Sequence, residues 1–169
     1  MSTANYKTIL EKCEKPFIKQ LNNYFNPQLQ FRHSNEYEDI EDHIDCHCFN
    51  TETNKNTTFD FKFLGYLDNP YNYNKKGIWI ELKNKIGKSL SLYGKQDYFW
   101  YHINNHFCSY IINRRKLQNY IDEKLKNGQL QIVKGLSGSD LIYIKVEDLP
   151  PYMYSIKTEP HFLFNINNQ

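Results

Sequence analysis

No apolar run in this 169-residue sequence approaches the roughly 20 residues a membrane-spanning helix requires. The start also lacks the charged-then-apolar pattern of a secretory leader, so a cytoplasmic chain with no membrane partner is expected. Net charge is scarce too. At +2 it is too small to mark a nucleic-acid binder by bulk charge alone. Only four cysteines are present, at 13, 46, 48 and 108, which suits reduced thiols better than a disulfide framework. There is no internal repeat and no linker, so the length fits a single domain, 1–169. What is abundant is aromatic side chain, 16% of residues, within a 40% apolar content. That excludes a disordered chain even though mean hydropathy is low, because Asn and Lys supply the polarity.

Positive charge is concentrated rather than large. Between Lys75 and Gln96 lie Lys75, Lys76, Lys83, Lys85, Lys88 and Lys95 against the single acid Glu81. A local field of this kind attracts phosphate, although a solvated lysine-rich surface has the same composition. Tyr93, Tyr98, Trp100 and Tyr101 lie beside Lys85, Lys88 and Lys95 and could stack on bases, with core packing as the competing reading.

Periodicity predicts a helix from about Tyr6 to Phe25, with Ile9, Cys13, Phe17 and Leu21 on one face, interrupted at Pro16 and ended by Asn26-Pro27. A weak strand is expected at Leu29–His33, then an acidic stretch, Glu36 to Asp42. Two alternating segments, His43–Phe49 and Phe59–Leu64, predict a hairpin across the polar run 50–58. A third strand is predicted at Gly77–Lys83, with Ile78, Ile80 and Leu82 on one face and Trp79, Glu81 and Lys83 on the other. Lys95 to Ile103 reads as a short helix or a strand, helix being preferred, Phe107 to Ile112 as a buried strand, and Asn113 caps a helix through Lys126. A closing hairpin joins Leu130–Val133 to Leu141–Val146, and the tail from Pro150 is irregular.

The hairpin's apolar pattern constrains its register. If paired residue numbers add to 107, Ile44 meets Phe63, Cys46 meets Phe61 and Cys48 meets Phe59, so one face is core. The other face then sets Asp45 against Lys62 and His47 against Asp60. A one-residue slip would bury acids among phenylalanines. Residues two apart in a strand share a side, so Asp60 and Lys62 project together with Asp45 reaching in from the neighbouring strand. Converging carboxylates suit a hard cation such as Mg²⁺ or Mn²⁺. A lysine beside them can orient a metal-bound water and stabilise a charged phosphate, which is a toolkit for phosphodiester hydrolysis. Glu81-Leu-Lys83 repeats the Asp60-Phe-Lys62 spacing. Either Glu81 is a further metal ligand, or Glu81 and Lys83 are the working pair and Asp60 takes the part of Asp45.

In order and spacing these elements resemble the PD-(D/E)XK nuclease superfamily, and residues 39–119 are similar to small phage- and virus-encoded members. The matching elements are His43-Ile-Asp45, Phe59-Asp-Phe-Lys62, Trp79-Ile-Glu-Leu-Lys-Asn84, Gly87, Leu92-Tyr-Gly94, Asp97-Tyr98 and Arg114-Arg-Lys-Leu117. A departure is Ser91 or Leu92 where the pattern has Trp after the glycine turn. The resemblance implies an α/β (α+β) fold, a restriction-endonuclease-like core with a central mixed sheet flanked by helices. It implies Mg²⁺ or Mn²⁺ and a nucleic-acid substrate, DNA before RNA, in the host cytoplasm if the source is viral. It favours Lys62 over Lys83, and places the superfamily's helix-borne acid at Glu11 or Glu14. Oligomeric state is left open, a homodimer included. Because the superfamily has inactive members, the alternative is a nuclease-fold protein that only binds nucleic acid or a host protein, in a viral accessory or anti-defence role.

His33, His43, Cys46, His47 and Cys48 also invite a zinc reading. Alternation sends the two cysteines to the face opposite His43 and His47, which argues against one tetrahedral site and leaves His47 as a possible contact near Asp60.

Overall fold

The computed structural model describes residues 10–64, 77–84, 87, 91–103, 108–135 and 138–157. The first helix begins as a π-turn, Leu10–Glu14, and continues as α1, Lys15–Phe25, with Pro16 in the first turn where its missing N–H is harmless. Strand β1 is Leu29–His33. The acidic stretch is a helix, α2, Glu36–Asp42. Asn35 and Glu38 start it with a reciprocal capping box, each side chain accepting from the other's backbone N–H at 2.9 Å. Then come β2, Cys46–Asn50, β3, Lys55–Leu64, and β4, Gly77–Lys83.

Strands β5, Tyr98–Ile103, and β6, Cys108–Asn113, lead into α3, Arg114–Lys126, which Asn113 caps through Lys116 N–H at 3.0 Å. The chain closes with β7, Val133–Lys134, β8, Asp140–Lys145, and β9, Tyr154–Lys157. The result is a mixed α/β domain: a six-stranded sheet ordered β1-β2-β3-β5-β6-β9, and a three-stranded sheet ordered β4-β8-β7. Among the described residues no helix is long and apolar enough to cross a membrane.

The large sheet has a core on each face. Phe17, Ile18, Leu21 and Phe25 of α1 pack on Cys46, Cys48, Phe59, Phe61, Trp100 and Ile111. On the reverse face Phe99, Tyr101 and Ile112 meet Ile78, Ile80 and Leu82 of β4, Ile142 and Ile144 of β8, and Leu117 and Ile121 of α3. Burial on both sides explains the main error of the sequence reading. The segment 95–103, for which helix was preferred over strand, contains β5, a central strand lying parallel to β3 and antiparallel to β6. A strand covered on both faces reads as one continuous aromatic run and loses its period of two. The tail from Pro150 is likewise ordered in part, because β9 pairs with β6 at the sheet edge.

The hairpin faces are as expected, but the register differs. Cys46 pairs with Phe59, His47 with Thr58 and Cys48 with Thr57, so paired numbers add to 105. The connection is also shorter than the polar run, because Asn50 pairs with Lys55. Asn50 Oδ1 accepts from the Glu52 and Thr53 N–H groups at 3.0 Å each, which builds a tight turn. Asn56, Thr57 and Thr58 are thereby drawn into the strand, where β-branched residues are at home. A two-residue slip keeps every side chain on its face, which is why the apolar pattern could not detect it.

Replacing the helix cap, Asn113→Ala, should lower stability by about 1 kcal/mol, because α3 carries Leu117 and Ile121 into the core. Urea unfolding followed by circular dichroism reads this directly, and an unchanged midpoint would contradict the assigned cap.

Candidate active site

Strand β2 begins at Cys46, opposite Phe59, while β3 runs on to Leu64, so β3 has an open flank beyond Phe59. Asp45 occupies that flank although it lies outside the strand. Its N–H donates to Phe59 O at 2.8 Å, and its carbonyl accepts from Ser34 N–H at 3.1 Å. Its side chain completes the flank, with Oδ2 accepting from Phe61 N–H at 2.6 Å. A carboxylate thus substitutes for a missing ladder partner, on a residue whose backbone is anchored by two further hydrogen bonds.

Asp60 and Lys62 pair in register with Phe99 and Tyr101 and share their face. The Lys62 ammonium forms an ion pair with Asp60 Oδ1. Glu14 comes from the end of the π-turn, three residues before Phe17, whose ring sits edge-on to Phe61 and Trp100 at 5.4 Å each. That packing holds Glu14 against the sheet. Asp60 is 2% exposed, Glu14 5% and Asp45 8%, so all three carboxylates are withdrawn from water. Lys62 alone in the group reaches the surface appreciably.

Burying like charges together is unfavourable, and the protonation equilibria record it. Burial, then the charge of Asp39, raises the Glu14 carboxyl to about 7, with Lys62 opposing. Burial, then Asp60 and Glu14, holds Asp45 well above the usual carboxylate range, with Lys62 again opposing. For Lys62, burial works against the charge, but Asp60 and Asp45 outweigh it and hold the ammonium above its usual range. Two acceptor atoms, Asp60 Oδ2 and Glu14 Oε2, are buried with no hydrogen-bond partner among the described residues. Such atoms are rare and costly in folded proteins.

Asp45, Asp60, Lys62 and Glu14 thus influence one another through their charges, while the other candidates lie apart. Glu11 is exposed and paired with Lys15. Glu81 and Lys83 lie on the small sheet and are exposed, because Ile78, Ile80 and Leu82 take the inward positions of β4. The link from Glu81 to this region is electrostatic, through Tyr101, whose hydroxyl is held above its usual range by burial and, secondarily, by Asp60 and Glu81. His47 faces Thr58 rather than Asp60. Its Nδ1 is 3.0 Å from Asn56 Nδ2 and its Nε2 is 3.2 Å from Glu38 Oε1. Lys95 is paired with Asp42 at 2.9 Å, and Tyr93 donates to Asp122 at 3.0 Å. Lys85 and Lys88 lie outside the described residues.

Cys13, Cys46 and Cys48 are free and buried, and burial pushes the Cys48 thiol up to about 12. That suits packing rather than metal ligation. Among the described residues no three His, Cys, Asp or Glu side chains are grouped so that they could hold a metal ion. The ammonium of Lys62 is what partly neutralises the acids as they are arranged.

The sequence did not place two neighbours here, Asp39 and His33, the latter considered there only as a zinc ligand. Asp39, on α2, acts on Glu14, Asp45 and His33 through its charge. His33, at the end of β1, has Nδ1 3.9 Å from Glu14 Oε2. Glu14 itself could have been chosen over Glu11 from a helical projection, because it falls within the stripe of Phe17, Ile18, Leu21 and Phe25.

No protein-family model matches the chain, and no curated protein or solved structure matches it.

The raised Glu14 carboxyl has a signed consequence. Between about 4.5 and about 7 the folded state keeps a proton that the unfolded state has lost, so stability falls as pH rises through that window. In chelator, the Glu14→Gln variant should match wild type at low pH and exceed it above pH 7, by at most about 3 kcal/mol. Unfolding midpoints measured across pH check this. A difference that shrank as pH rose would contradict the burial of an ionising Glu14.

Proposed function

We propose that this chain is a divalent-metal-dependent nuclease with a restriction-endonuclease-like core. The observation that carries the reading is the mutual electrostatic influence of three buried carboxylates and one ammonium beside the start of β2. Two of the buried oxygens, on Asp60 and Glu14, lack a hydrogen-bond partner among the described residues. Carboxylate oxygens are the donors that Mg²⁺ and Mn²⁺ take, and an unpaired buried carboxylate is stabilised by a nearby cation. Asp45, Asp60 and Glu14 would hold the ion. Glu14 thus takes the place that the sequence suggested for Glu81. When bound, the ion supplies positive charge at the phosphate and acidifies a coordinated water.

The chain's own groups have distinct parts. Asp45 is fixed by the Phe61 N–H, so it offers a rigid ligand. Asp60 links the ion to Lys62. Lys62 sits at the rim, where its ammonium can orient the attacking water and offset charge on a pentavalent phosphate. The core order supports the same reading: α1, β1, Asp45 before β2, Asp60 and Lys62 on β3, then β5 parallel to β3. One departure stands beside it. The described chain between β3 and β5 includes β4 and a short 3₁₀ turn, while the next helix, α3, comes only after β6. DNA rather than RNA as substrate is taken from the resemblance alone.

A second reading, an inactive nuclease fold that binds nucleic acid or a host protein, is favoured by one feature. That feature is the absence, among the described residues, of any three His, Cys, Asp or Glu side chains grouped so that they could hold a metal ion.

Cleavage of plasmid or oligonucleotide separates the two. The nuclease reading expects Mn²⁺- or Mg²⁺-dependent cutting that EDTA stops, and loss of roughly 100-fold or more in Lys62→Ala and Asp60→Asn. Glu11→Ala should cut like wild type. Full activity in Lys62→Ala with loss in Lys83→Ala would transfer the lysine's role, and no cutting with any divalent ion would support the binding reading.

A further inference from the structure

We propose that the outer face of the three-stranded sheet binds single-stranded nucleic acid, with the Trp79 and Tyr143 rings stacking on bases and Lys83 and Lys145 meeting phosphates. This surface lies on the other sheet from Asp60 and Lys62, and binding there needs neither the acids nor a cation.

An antiparallel sheet covered on one face ordinarily alternates apolar-in with polar-out. Strands β4 and β8 follow only the first half of that rule. Ile78, Ile80, Ile142 and Ile144 point into the core. The positions between them turn outward, yet they carry Trp79 on β4 and Leu141 and Tyr143 on β8, all half-buried. Trp79 and Tyr143 are direct cross-strand partners, with ring centroids 5.0 Å apart and planes at 51°. Neither ring belongs to either core cluster. Val133, the partner of Leu141 on β7, continues the face and is 42% exposed. Gly77 makes room for the rings. A Cβ there would stand 2.4 Å from Tyr143 Cζ, so the outer end of that ring fills the space a side chain would take.

Charge distinguishes a nucleic acid from an apolar protein surface as the occupant. Lys145 is the partner of Gly77 and Lys83 ends β4, so an exposed cation stands beyond each end of the ring pair. Lys145 has one acid near it, Glu147 at 3.8 Å. In sequence, β4 is preceded by Lys75 and Lys76 and followed by Lys85 and Lys88, and Glu81 is the single acid from 75 to 96. Lysine is depleted in protein–protein interfaces, whereas cations that follow a backbone and rings that stack on bases are what a single strand requires. A duplex keeps its base faces stacked on one another, which leaves these rings nothing to meet. The rings suggested first for stacking do not compete, because Trp100 and Tyr101 are buried in the large sheet and Tyr93 is held by Asp122.

The test uses the full chain in EDTA, with a fluorescein-labelled oligothymidylate of about a dozen nucleotides as the probe. Binding should quench the emission of Trp79, the other tryptophan being the buried Trp100. Quenching and anisotropy should saturate together. Trp79→Leu and Tyr143→Leu should each weaken binding about tenfold, while Tyr143→Phe, which keeps the ring, binds as wild type. Lys83→Gln should lower the salt slope by about 1. The duplex with oligoadenylate should bind at least tenfold more weakly. Quenching is read on the wild-type chain, so a leucine variant that fails to fold leaves the test intact. No binding, binding without quenching, equal affinity for the duplex, or undiminished affinity in a folded Tyr143→Leu chain would overturn the proposal. So would self-association that Trp79→Leu abolishes, which would assign the face to a second copy of the chain. Quenching in a chain that cuts nothing supports the ring platform and removes the nuclease reading. Metal-dependent cutting without quenching does the reverse.

Discussion

The hydrogen bond from the Phe61 N–H to Asp45 Oδ2, 2.6 Å long, is the contact on which the candidate site depends. It exists because β2 begins only after Asp45 while β3 continues past Phe59, leaving a backbone donor that a side chain can claim. Through it the acid before one strand is locked beside the Asp60 and Lys62 pair of the next. Shift the pairing by one residue and Asp45 would turn toward the α1 core. Begin β2 earlier and the flank would be filled by backbone.

Electrostatics then sets what such a place can be. Three carboxylates sheltered from water repel one another, and one lysine offsets them incompletely: Glu14 and Asp45 both resist ionisation despite it. Buried charges of this kind contribute little to fold stability, since replacing them with apolar side chains is often neutral or favourable. The apolar cores on the two sheet faces do not need them. Clusters of mutually perturbed acids are more often found where chemistry or ligand binding occurs. The two unpaired oxygens give that general expectation a specific address.

Much of this was legible in the sequence, and the failures are instructive. The faces of β2 and β3 followed from alternation, because Cys46, Cys48, Phe59 and Phe61 can be buried only with Asp45 and Asp60 on the reverse side. The register itself was not legible. It depends on Asn50 capturing two turn N–H groups, and a two-residue slip leaves the apolar pattern unchanged. Strand β5 was hidden by its burial on both faces. Glu81 copied the spacing of Asp60, but spacing within a strand says nothing about which sheet the strand joins, and β4 joined another. His33 and Asp39 reach the site from β1 and α2, through tertiary approach that no local pattern encodes.

The central claim is that Asp45, Asp60 and Glu14 face one another around a single cation. Anomalous diffraction from crystals of the full chain soaked in Mn²⁺ addresses it without reference to turnover. The account predicts one strong peak within bonding distance of carboxylate oxygens from all three residues. A fully occupied peak elsewhere, or carboxylates of Asp45 and Asp60 on opposite surfaces of the sheet, would contradict it.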